Sequence, residues 1–333
     1  MPLNEKYSIL APLSIQLRTM LAIEAVNFFS HMNQPEKFAI IGKEPPKKNY
    51  IHPFNGQDFQ TYLEKTGKLE NAGRYMFQIR TLLKNLEMAD ILFPVGFSGN
   101  VFYSHGYHTL KESTTLEKKG ISWLTPALGP EFIRYYHATA IVQLTGKHNG
   151  DEHAGTGLIV SPRFILTCGH VIDDMTLDKV QIIQGKSIPI TSAITHPTID
   201  IGLIKTSKDM TINPGILMRQ PLITERVFTI GYPRIPLTIN PTIVMQGGEV
   251  TSESTKLLYG QEVFLYSAIA RPGNSGGPII SHTGHVIGIV TQQLEEQSNH
   301  SSSPFHAGID INTIKSSILE LDPEVTLPVE DYQ

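Results

Sequence analysis

The sequence predicts a two-domain chain, with a mainly α N-terminal module followed by an all-β domain. Three observations carry this. The 333 residues exceed one ordinary domain. Up to about residue 93 the apolar positions recur at helical spacing, and from about Ile133 onward short β-rich runs alternate with Gly, Pro, Asn and Ser. We place the helical module at 1–130, the β domain at 131–323 and a C-terminal tail at 324–333.

In chain order, Leu13, Leu17, Met20, Leu21 and Ala25 lie on one face of a long amphipathic helix, extended by Val26, Phe28 and Phe29. A loop carrying Pro35, Pro45, Pro46 and Pro53 follows. A short helix spans Gln57 to Lys65 and closes at Gly67. The spacing of Met76, Ile79, Leu83 and Leu86 predicts a third helix over 73–90, with Asn71 as its cap. Next, ILFPVGF and VFYSHGY flank Ser98-Gly99-Asn100 as a hairpin. Three helices and a hairpin are the order of a winged helix. In the second part the runs RYYHATAIVQL, GTGLIVS, RFILTCG, KVQIIQG, DIGLIKT, RVFTIGY, EVFLYSAI, PIISH, HVIGIVTQ and HAGIDI predict a sandwich or barrel. A last helix is expected over 311–321.

Composition narrows the function. The net charge is −4, with 40% hydrophobic and 17% charged residues, 27 Gly and 22 Pro, which excludes wholesale disorder and a long coiled coil. Residues 1–130 carry 14 Lys+Arg against 11 Asp+Glu (+3), leaving 13 against 20 (−7) for the rest. The third helix offers only Arg74, Arg80 and Lys84, so a protein-interaction or regulatory module is favoured over nucleic-acid binding. The single cysteine, Cys168, rules out an intrachain disulfide and makes a reducing compartment the expectation. The N terminus lacks a signal-peptide pattern and no apolar run would span a bilayer, so a cytoplasmic, membrane-free protein is expected. His105 with His108, and His148 with His153, lack a third ligand close by, and there is no Gly-rich phosphate loop. No metal and no cofactor are therefore expected.

Three segments carry chemistry: GTGLIVSPRFILTCGHVID (155–173), HPTIDIGLIK (196–205) and ARPGNSGGPIISHTGHVIGIV (270–290). A serine hydroxyl needs an adjacent base to attack a carbonyl, and the base needs a carboxylate to orient it. Ser275, His170 and Asp200 supply these types. Asp173 and Asp174 compete for the carboxylate role but follow His170 on the same local turn. Cys168, an alternative nucleophile, is read as a buried small residue. Glycines around Ser275 permit a tight loop whose N–H groups converge on an oxyanion, with Gly273 and Ser275 the natural donors.

At these residues the sequence resembles the chymotrypsin-fold (trypsin-like) serine proteases, closest to the disulfide-free bacterial HtrA/Do and V8-like branch. The resemblance spans about residues 135–315. It implies two packed six-stranded β-barrels, with His170 and Asp200 in the first and Ser275 in the second. It also implies a serine endopeptidase acting on proteins or peptides. Asn274 stands where trypsin-type enzymes have an Asp that pairs with a new N-terminal amine, so activation by that ion pair is not expected. Ile269, six before the nucleophile and beside Ala268 and Ala270, would floor the specificity pocket and favour small or medium apolar residues. Thr291, Gln292 and Gln293 would pair with substrate backbone. The chain ends soon after its last helix, so the PDZ domain common in HtrA-type proteins is not expected. A regulatory partner would then act through residues 1–130. Other readings stay open: a silent protease-like scaffold, and a transcription regulator with the barrel as sensor. The polar segment 293–306 includes Asn299-His300-Ser301, a glycosylation pattern that a cytoplasmic protein would leave unmodified.

Overall fold

In the computed structural model the described residues are 11–32, 34–45, 52–109, 114–294 and 305–330, so the Asn299-His300-Ser301 pattern lies outside them. The chain divides into two units that interleave in sequence. One comprises 1–113 and 124–132, and the other 114–123 and 133–333. The chain therefore passes between the units three times, where a single boundary at 130 requires one passage.

In the first unit, α1 (Ile15–Phe29) starts at Ser14, whose hydroxyl accepts the Leu17 N–H. Its buried stripe is Ile15, Thr19, Leu21, Ala22, Ala25, Phe28 and Phe29, which leaves Leu17 and Met20 at the margins. The predicted Pro-rich loop contains a helix, α2 (Gln34–Ile41), because Pro35 falls in the first turn, where the missing N–H costs nothing. A short strand β1 (Phe54–Asn55) leads into α3 (Gly56–Lys65), and Asn55 and Asp58 form a reciprocal capping box. The third predicted helix is shorter than expected. Asn71 is left-handed (φ 52°) and caps nothing, a 3₁₀ turn fills 72–75, and α4 runs Met76–Met88 with Ile79, Leu82, Leu83 and Leu86 buried.

The hairpin strands are β2 (Leu92–Phe97) and β3 (His105–Thr109), in a sheet of order β1-β3-β2. Its turn is longer than the sequence suggests. Asn100 Oδ1 accepts the N–H groups of Phe102 and Tyr103, which bends that stretch out of the strand. The order in this unit is helix, helix, strand, helix, helix, strand, strand, with the hairpin closing a three-stranded sheet.

Helices α5 (Thr125–Leu128) and α6 (Pro130–His137) follow. The run predicted as a strand from residue 134 is thus helical as far as His137. Phe132, Ile133, Tyr136 and His137 are buried while Arg134 and Tyr135 are exposed, a helical period that outweighs the β propensity of the tyrosines.

The second unit holds a seven-stranded sheet of order β7-β4-β5-β6-β10-β9-β8. Its strands are β4 (Ile141–His148), β5 (Asp151–Ser161), β6 (Phe164–Thr167), β7 (Thr176–Leu177), β8 (Val180–Ile183), β9 (Lys186–Thr195) and β10 (Gly202–Thr206), with a one-turn helix α7 (Gly169–Asp173) after β6. The sheet curls until β8 meets β4. There the buried Gln181 amide accepts the Thr145 N–H (2.9 Å) and donates to the Thr145 carbonyl (2.9 Å), replacing a backbone ladder. Strand β9 went unpredicted because Pro189 and its polar residues break the pattern.

A closed barrel of order β11-β12-β13-β16-β15-β14 follows. It is built from β11 (Arg226–Gly231), β12 (Val244–Lys256), β13 (Glu262–Tyr266), β14 (Pro278–Ser281), β15 (Val286–Leu294) and β16 (Phe305–Asp310). Val227, Val250, Phe264, Tyr266, Ile279, Ile287 and Val290 fill its core. The polar strand β12 is invisible as a hydrophobic run. Its Gly248 is required by space, since a Cβ there would lie 2.1 Å from the Ala268 nitrogen. Together the curled sheet and the closed barrel make the double β-barrel of the chymotrypsin type, with seven strands rather than six in the first half.

Helix α8 (Ile311–Leu321) lies where expected, capped by Asp310. The segment read as a tail is held against the barrel as far as residue 330. Met218 donates to the Pro328 carbonyl (3.0 Å), Glu330 donates to the Met218 carbonyl (2.8 Å), and His285 Nε2 meets the Glu330 carboxylate at 3.0 Å. Among the described residues no helix is long and apolar enough to cross a membrane.

Candidate active site

His170 sits in α7, directly beyond the buried strand β6. Asp200 lies in the turn ahead of β10, and Ser275 in the loop between β13 and β14. All three line one cavity of about 640 Å³. β10 and β6 pair with Gly202 opposite Thr167, which brings the Asp200 turn alongside the start of α7.

The Asp200 carboxylate accepts three donors. His170 Nδ1 approaches Oδ2 at 2.9 Å and Oδ1 at 3.0 Å, the His170 backbone N–H donates to Oδ1 at 2.9 Å, and the Thr291 hydroxyl donates to Oδ2. Burial would by itself raise the Asp200 carboxyl, but the hydrogen bonds and charge of His170, with the Thr291 hydroxyl, hold it below its usual value. For His170, burial would favour the neutral ring. The hydrogen bond and charge of Asp200, helped by the charges of Asp174 and Asp173, raise it above 6.5 instead. Asp173 and Asp174 also line the cavity, and the Asp173 carboxylate accepts the Thr195 hydroxyl at 3.3 Å; Asp200 is the carboxylate that meets the ring.

The Ser275 hydroxyl donates to the Thr291 carbonyl at 3.2 Å, and among the described residues no hydrogen bond joins it to His170. The loop around it is pinned almost completely. The Pro272 carbonyl accepts the Arg234 N–H (3.1 Å), Asn274 N–H donates to Arg271 (2.9 Å), Gly276 N–H to Val290 (2.8 Å), and Gly277 N–H to Asn274 (2.8 Å). The N–H groups of Gly273 and Ser275 donate to nothing among the described residues. Gly273 has φ 97°, in the region that favours glycine. Asn274 is buried, and its Oδ1 has no partner among the described residues.

The other sequence candidates divide. Thr291 and Gln292 line the cavity, and the β15–β16 register shifts between Val290 and Gln293, which leaves both outside the ladder. The Gln292 amide donates to the Tyr259 hydroxyl. Gln293 pairs with His306 on β16. Ile269 is a correction. It is 49% exposed and does not line the cavity, because the extended segment buries Ala268 and Ala270 and turns the residue between them outward. Ala270 is the wall residue, with Arg271, Pro272 and Val290. Sequence reasoning missed Tyr259 and Gln261, on the β12–β13 turn. Gln261 Oε1 accepts the Asp200 N–H at 3.2 Å, and that long-range contact leaves no local signal.

Cys168, His170 and Asp200 bring ligand atoms within 4.8 Å of one another, the arrangement that would admit a metal ion. Each is already engaged, His170 and Asp200 with each other and Cys168 elsewhere. Cys168 is fully buried, its thiol donates to the Val290 carbonyl (3.1 Å), and burial with the nearby Asp200 charge pushes it up, away from thiolate.

Residues 155–289 match the family described as the trypsin-like peptidase domain. The chain is 30% identical over 147 residues to an uncharacterised protein of Sinorhizobium fredii, covering 43% of this chain and 22% of that protein. It is 27% identical over 179 residues to a probable periplasmic serine endoprotease, DegP-like, of Pseudomonas putida, covering 53% and 36% respectively. The crystal structure of the active form of the Rv3671c protease from M. tuberculosis aligns over 60% of this chain and 86% of that chain, at 17% identity and a TM-score of 0.47. The chain thus spans less than half the length of these two curated relatives.

Proposed function

We propose that the protein, whose residues 155–289 match the trypsin-like peptidase domain family, is a serine endopeptidase with Ser275 as nucleophile, His170 as base and Asp200 as the carboxylate that orients it. The grip of Asp200 on both the Nδ1 and the backbone N–H of His170 carries this reading. With Nδ1 engaged, Nε2 is the nitrogen left to take a proton, and Ser275 lines the same cavity. The hydroxyl leaves the Thr291 carbonyl and passes its proton to His170 as Oγ bonds to the substrate carbonyl carbon. The resulting oxyanion takes the unused N–H groups of Gly273 and Ser275. His170 then protonates the departing amine as the C–N bond breaks, and water releases the acyl group by the same steps in reverse.

Ala270 and Val290 support cleavage after small or medium apolar residues. Arg271 is among the residues that line the cavity, so a basic substrate residue would meet like charge nearby. A buried unpaired charge costs several kcal/mol, and about 1.4 kcal/mol is tenfold. In a peptide series varied only at that residue, kcat/KM for Ala or Val should exceed that for Arg at least tenfold; an Arg preference would refute the assignment. Asn274 has no charge to pair with a new amine, which supports activity controlled without zymogen cleavage. Control then falls to residues 1–130, as a site for a regulatory protein or as a restraint. The lone cysteine supports a bacterial cytoplasmic setting.

The bond from Ser275 to Thr291 favours a second reading, a silent protease-like scaffold or sensor that binds a partner. A fluorophosphonate probe on the intact chain separates the two. One label per chain, mapped to Ser275, is expected. No labelling, with or without added unfolded protein, would overturn the endopeptidase in favour of the scaffold, and labelling only after nicking would overturn cleavage-free control.

A further inference from the structure

We infer that Thr156, on the far barrel from Ser275, is the positioning residue that sets the two oxyanion donors; the inference rests on the serine-peptidase reading above. Thr156 is fully buried on β5, yet its backbone and side chain are spent on the nucleophile loop and its supports. Its N–H donates to the Ser275 carbonyl at 3.0 Å. Its hydroxyl donates to the Gly273 carbonyl at 2.6 Å and accepts the Tyr232 N–H at 2.9 Å, so both capacities are used. Its own carbonyl accepts the Thr167 hydroxyl at 2.8 Å, which ties it to the strand leading into His170.

Gly273 and Ser275 are the residues whose N–H groups are left unused, and Thr156 holds each of them by its carbonyl. The Gly273–Asn274 peptide is fixed at both edges, by Thr156 on the oxygen and by Arg271 on the N–H. The Ser275–Gly276 peptide is fixed likewise, by Thr156 and Val290. Elsewhere in the loop the pins described above are backbone groups, and the Thr156 hydroxyl is the side chain among them. Space is cleared for it by glycines. A Cβ would come 2.8 Å from the Thr156 hydroxyl at Gly231, 2.3 Å from its carbonyl at Gly276 and 3.1 Å from its methyl at Gly277. An oxyanion hole acts through donors fixed before the charge develops, so loosening the Gly273–Asn274 peptide frees the adjoining Gly273 N–H to move, weakens the transition state and leaves ground-state binding intact.

The experiment is steady-state kinetics of the full chain carrying Thr156→Val, Thr156→Ala or Thr156→Ser, each corrected for its folded fraction by circular dichroism. Removing one direct oxyanion donor costs about 100- to 1,000-fold in kcat, so losing its positioner should cost about 10- to 100-fold, with KM held within about twofold. Thr156→Ser, which keeps the hydroxyl, should restore most of kcat. Affinity for a peptidyl boronate should fall in step with kcat/KM. Thr156→Ala keeps the test alive where Thr156→Val fails to fold, since it adds no methyl against the loop. If the wild type turns over and the hydroxyl-free variants match its kcat per folded molecule, or change only KM, the positioning role is overturned while the peptidase reading stands. A wild type that neither turns over nor takes a fluorophosphonate removes the reading itself, and the inference with it.

Discussion

Ser275→Ala is expected to lower peptide hydrolysis by about a million-fold, to a residue of rate supplied by binding and oxyanion donors alone. The substitution removes one 3.2 Å hydrogen bond to the Thr291 carbonyl, a loss of about 1 kcal/mol or less, so the melting temperature should move by only a few degrees. Initial-rate assays beside thermal melts check both halves. In the native host, comparing newly cleaved N-termini between wild type and Ser275→Ala would show which proteins are cut. Identical sets of termini would favour the scaffold.

Asp200→Asn should lower kcat by about ten-thousand-fold with the fold intact. Three donors converge on this carboxylate, and an amide has one oxygen to offer and an NH₂ group that collides with a donor. The imidazole then loses the tautomer that leaves Nε2 free to accept a proton. The pH profile carries a second signature. His170 works as a base only when neutral. Because Asp200 raises its pKa above 6.5, activity is lost as the pH falls through that raised value and is kept above it. The acid limb of kcat/KM in the wild type should therefore sit above pH 6.5, and in Asp200→Asn it should drop, since burial then acts without its counterweight. A wild-type limb at or below 6.5 would contradict the arrangement.

These residues were legible because each lies in a short segment whose glycines and apolar neighbours mark a strand end or a tight turn. Asp200, rather than Asp173 or Asp174, meets the His170 ring for the reason chain stiffness gives: residues three and four beyond His170 share its turn, and a partner comes from a neighbouring strand. Legibility failed where the determining contact was distant or the pattern mixed. Thr156 lies 117 residues from Gly273, and nothing local announces that its hydroxyl is claimed. Ile269 is apolar by type but faces outward, since in an extended segment direction depends on register and not on hydropathy. Strand β12 is polar because much of it stays exposed, and Tyr135 and Tyr136 follow the burial period of a helix against their β propensity. The helical module showed its topology in outline, but its first buried stripe was displaced from the predicted face.

The interleaving of the two units bears on what a cut between them would leave behind. Residues 114–123 belong with the barrels although they precede the last segment of the helical unit. Ser122 donates to the Gly215 carbonyl at 2.8 Å, and Gly120 lies so close to the Pro214 carbonyl that a Cβ would come within 2.1 Å. Proteolytic trimming at residue 130 would therefore strip the barrels of a piece of their own wall.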